Sequence, residues 1–135
     1  VIAFFWSPDG DKLAILSPSQ ESDTQLGRGP IPVPALHHTQ PSPPRLDLIL
    51  LDTTRGSERP LISFTPTPLF LAQLLPFFDQ YALSHRLWSP RGDALVLPLV
   101  SGDGRPQIYV IPVDGQLPGK ALAEGTIAFW SAAAP

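Results

Sequence analysis

Arg86-Leu87-Trp88-Ser89-Pro90-Arg91-Gly92-Asp93-Ala94-Leu95-Val96-Leu97-Pro98 is the stretch on which the reading of this chain turns, because it occurs three times. An earlier copy is Phe4-Phe5-Trp6-Ser7-Pro8-Asp9-Gly10-Asp11-Lys12-Leu13-Ala14-Ile15-Leu16, and a third opens at Ile127-Ala128-Phe129-Trp130-Ser131. In both full copies an apolar segment runs into Ser-Pro-x-Gly and a second apolar segment follows. Proline presets its own φ, and glycine tolerates a positive one, so each copy reads as a tight turn joining two strands of a hairpin.

The repeated tryptophans stand at positions 6, 88 and 130. The 42 residues from Trp88 to Trp130 match one four-stranded propeller blade of about 40 to 45 residues. The 82 residues from Trp6 to Trp88 read as one blade carrying two insertions. One is the Pro-rich stretch 17–44, which contains Gly29-Pro30-Ile31-Pro32-Val33-Pro34 and Pro41-Ser42-Pro43-Pro44 and reads as a long loop of polyproline character. The other is an excursion over 65–84. The chain thus divides into a first blade (1–84), a second (85–125) and the opening strand of a third (126–135).

Between the copies, strands are expected at 46–52 and 60–64 in the first blade, and at 94–100, 107–113 and, more weakly, 120–123 in the second. Within the excursion, Thr67-Pro68 has the form of an N-cap followed by proline at the first helical position. Phe70, Leu71, Leu74 and Leu75 then recur at helical spacing until Pro76 ends the run. About two turns of helix are expected near 68–75. The fold class is all-β: a β-propeller fragment of about two four-stranded antiparallel blades plus one strand, with that single short helix.

A lone four-stranded sheet is marginal and buries its faces against neighbours. Trp6, Trp88 and Trp130 are the expected fillers of those interfaces, each contributing roughly 1.5 to 3 kcal/mol or somewhat more when buried. Pro8, Gly10, Pro90 and Gly92 are the matching turn residues.

Composition narrows function by exclusion. Twelve acidic and nine basic residues are scattered through the chain, so no basic stripe follows a phosphate backbone and nucleic acid is not an expected partner. Cysteine is absent, which removes disulfide and thiolate chemistry. Eighteen prolines disfavour long helices. No apolar run reaches the ~20 residues of a membrane helix. With no methionine and an apolar opening at Val1-Ile2-Ala3, the chain is expected to be a piece of a longer protein.

The Trp6-Ser7-Pro8-Asp9-Gly10-Asp11-Lys12-Leu13-Ala14 motif, with Gln107-Ile108-Tyr109-Val110-Ile111 leading to Asp114-Gly115, resembles the WD40-like (PD40) repeat of TolB-type β-propellers. It is also similar to repeats in the propellers of prolyl-oligopeptidase-type peptidases. The resemblance covers nearly the whole chain and departs at Arg91, where the family turn usually carries Asp. It implies a non-catalytic scaffold for protein or ligand binding, an extracytoplasmic setting, and as partners another protein or further blades. The alternative it leaves open is the substrate-gating propeller of a serine peptidase, whose Gly-x-Ser-x-Gly would lie in a downstream hydrolase domain. A more distant one is a propeller enzyme such as the oligosaccharide lyases.

Few residues point to chemistry. No Gly-x-Ser-x-Gly elbow occurs, and no cofactor or metal is expected. His37-His38 reads as a solvated loop pair, and His85 as a backbone-bonding corner residue. Ser84, His85 and Asp79 are close in sequence, which is no argument for a triad. Asp9-Gly10-Asp11 and Asp103-Gly104 resemble pieces of calcium loops but lack the alternating oxygen ligands, and turn chemistry accounts for them. The segment Phe70 to Tyr81 is what a blade does not require. Phe77, Phe78, Asp79, Gln80 and Tyr81 are therefore the candidate binding residues, either as a docking surface or as a plug over the blade.

Overall fold

The computed structural model of the chain describes residues 1–19, 43–81, 85–114 and 119–131. Most of the Pro-rich stretch, His37-His38, Ser84, Gly115 and the terminal alanines lie outside the described residues. The chain is all-β, with two antiparallel sheets and one short helical segment.

The first sheet is a meander of β1 (Ala3–Trp6), β2 (Lys12–Pro18), β3 (Leu46–Asp52) and β4 (Ser57–Phe64). Its register lines up one apolar face. Phe5 opposes Ala14 and Ala14 opposes Leu50, while Ala3, Leu16, Leu48 and Ile62 form the next row. A large side chain beside a small one lets each row fill without a void. The alternation of buried and less buried positions from Leu46 to Leu51 of β3 is the period-2 signature of a sheet with one covered face.

The second sheet comprises β5 (Ala94–Val100), β6 (Pro106–Pro112) and β7 (Lys120–Glu124). Residues 85–89 run beside β5 as its fourth member, reduced to a Trp88–Leu95 bridge. Ser89 N–H donates to the Ala94 carbonyl (2.8 Å) and Val96 N–H to the Leu87 carbonyl (2.9 Å). Leu95 through Leu99 are buried without alternation, so β5 is covered on both faces. β7 is exposed along its length.

Proline inside so buried a strand needs a reason. The Pro98 carbonyl accepts from Thr67 N–H (3.3 Å). A residue's nitrogen and oxygen point the same way in a strand, so the missing N–H of Pro98 faces the crossing segment 65–67 and β6 loses nothing.

Both repeat turns are closed by their serine. Ser7 Oγ donates to Asp9 Oδ1 (2.6 Å) and accepts from Lys12 N–H (3.0 Å). In the second copy, where Arg91 replaces the turn aspartate, Ser89 Oγ donates instead to Asp93 Oδ1 (2.7 Å) and accepts from the amides of Asp93 and Ala94 (both 3.1 Å). The carboxylate has moved two positions and the turn survives. Gly10 and Gly92 take φ of +77° and +74°, which an L side chain enters only at a cost of roughly 1–2 kcal/mol.

The helical expectation holds in place but not in type. Thr67 caps as expected, its carbonyl accepting from Leu71 N–H (3.1 Å) and its hydroxyl facing Phe70 N–H (3.4 Å). Phe70–Leu74 is nevertheless a π-helical turn, closed by Leu75 N–H to the Phe70 carbonyl, and Leu75–Phe77 is a 3-10 turn. Pro76 supplies no N–H and crowds the carbonyl four residues back, so regular α-helical bonding cannot continue through it.

Side-chain hydrogen bonds add to the backbone contacts in tying the two sheets and the excursion together. The Trp88 indole N–H donates to the Phe5 carbonyl (2.8 Å). Thr67 Oγ1 donates to the Thr126 carbonyl (2.6 Å), and Arg59 Nη2 donates to the Val113 carbonyl. Phe70, Leu74, Leu75 and Leu87 are buried among them.

The repeated tryptophans do not share one environment. Trp88 is 3% exposed, as an interface filler should be, but Trp6 is 54% exposed. The physical difference is coverage: β1 lies over Trp88, and among the described residues no sheet lies over Trp6. Trp130 is half-buried. Its amide donates to the Arg86 carbonyl (2.8 Å) in an antiparallel bridge, and its indole nitrogen is buried with no partner among the described residues.

Candidate functional site

The first two copies of the repeat bring their Trp-Ser-Pro segments side by side, and a cleft of about 620 Å³ opens between them. Its walls follow from strand geometry. Along β1, Ala3 and Phe5 face the core, so Phe4 and Trp6 must face the other way. Phe5, Pro8, Trp88 and Pro90 of the two repeats line it together with Phe78 and Asp79 of the excursion. The size falls within the roughly 300–1,000 Å³ of ordinary ligand pockets.

Phe78 is fixed by two edge-to-face contacts, with its ring centre 5.1 Å from Phe4 and 5.9 Å from Phe5. Such contacts add roughly 0.5–1.5 kcal/mol beyond area burial. Of the five candidate residues, only Phe78 and Asp79 line the cleft. Tyr81 turns away and stacks on His85 (4.4 Å), which meets Phe129 at 4.5 Å. Phe77 is 45% exposed, and Gln80 lies exposed on the turn that its amide closes to the Phe77 carbonyl (3.0 Å). The excursion therefore divides into a plug made of Phe70, Leu74 and Leu75, a cleft wall at Phe78 and Asp79, and an outer turn.

Phe4 and Arg86 also line the cleft, and sequence reasoning did not single them out. The signal was present in the alignment of the copies. The position two residues before tryptophan holds Phe4, Arg86 and Ala128, so it varies while its surroundings repeat, as expected where the scaffold does not dictate the side chain.

Several polar groups of the cleft are already engaged. Its serine hydroxyl, Ser7, is committed to Asp9 and to the Lys12 amide, and the Trp88 N–H is committed to Phe5. His85 is held between two rings and its amide donates to the Tyr81 carbonyl (2.8 Å). Asp79 and Arg86 place one charge of each sign at the lining. Outside the cleft, hydroxyl hydrogen bonds hold three turn carboxyls below their usual 3.8: Ser7 on Asp9, Thr54 on Asp52 and Ser101 on Asp103. Among the described residues no three His, Asp or Glu side chains converge as a metal site, and no helix is long and apolar enough to cross a membrane. Comparison with family models, curated proteins and solved structures returns no match.

Proposed function

We propose that this chain is part of a TolB-like propeller scaffold, extracytoplasmic and without catalysis of its own, whose cleft between repeats binds a segment of another protein. The observation that carries this reading is the state of the cleft's groups. Exposed aromatic walls at Phe4 and Trp6 stand beside polar atoms already spent on turns and sheet contacts. Such a surface gains from covering apolar area and from aromatic anchors, and it presents no positioned nucleophile with a base to activate it. The repeat motif, with its Ser-Pro-x-Gly turns, supports the propeller assignment, and the family likeness supplies the compartment.

Selection of random displayed peptides on the immobilised chain tests the reading. Peptides recovered should lose binding to Phe78→Ala and Phe4→Ser while still binding Leu122→Ser, a control at an exposed residue outside the cleft. Peptides indifferent to both cleft substitutions, or no recoverable binder, would count against it.

A further inference from the structure

We draw no further inference here: the strongest candidate, the outer strand β7 (Lys120–Glu124), exposed along its length with Leu122 at its centre, breaks register against β6 between Ile108 and Tyr109, and nothing in the structure shows what covers it.

Discussion

Trp6 and Trp88 form an internal experiment, with the same residue at the same place in two copies of one repeat, differing in what lies over them. Trp88→Phe removes about three buried ring atoms, worth about 2 kcal/mol at ~0.8 kcal/mol for each methylene equivalent, and the indole hydrogen bond to Phe5, worth about 1 kcal/mol. The site is 3% exposed, so water cannot take the indole's place, and partial collapse of the surroundings brings the expected cost to about 2–3 kcal/mol. Trp6→Phe makes the same chemical change at a side chain 54% exposed, where surface substitutions fall within about 0.5 kcal/mol. Urea unfolding followed by far-ultraviolet circular dichroism measures both. A midpoint drop confined to Trp88→Phe, with unchanged slope, is the expected result. Equal costs at the two positions would refute the reasoning, because coverage by β1 would then not distinguish them.

Gly92→Ala should cost about 1–2 kcal/mol in the same assay, since φ there is +74° and the new methyl meets Pro8 Cδ at 3.5 Å. Phe70→Ala, at 0% exposure, should cost about 3–5 kcal/mol and unseat the excursion, visible as lost protection of the Thr67 and Leu71 amides in hydrogen exchange. Acid should destabilise the chain through its turns. Asp9, Asp52 and Asp103 have folded pKa values below the usual 3.8, so their contribution is present above that value and is lost as pH falls through the depressed ones. Stability should therefore be flat near neutrality and decline below about pH 4, and Ser7→Ala, Thr54→Val and Ser101→Ala together should flatten that decline.

The strands were legible because each is short, apolar and bounded by Gly, Pro or Asp, and Gly56 and Gly104 mark turns by positive φ as Gly10 and Gly92 do. The second turn was legible too, although the reason it tolerates Arg91 was not. That depended on Asp93 lying within reach of Ser89, a matter of turn geometry rather than residue type. The helical spacing of Phe70, Leu71, Leu74 and Leu75 located the excursion correctly. Pro76 was read as its end, whereas it widened the preceding turn and started a tighter one. Trp6 could not be told from Trp88 by sequence, since their motifs agree and only the element opposite each decides burial. The cleft was partly legible. Phe78 and Asp79 were singled out because no blade needs them, but Phe4 and Arg86 sit inside the repeat and were absorbed by the structural explanation of it.

The packing of one repeat on the other is the claim on which the cleft depends, and indole hydrogen exchange tests it most directly. Three indole N–H resonances, assigned by single Trp→Phe substitutions, should separate into one exchanging freely, Trp6, and two protected, Trp88 by its bond to Phe5 and Trp130 by burial. A Trp88 indole that exchanges as fast as that of Trp6 would contradict the packing of the second repeat on β1.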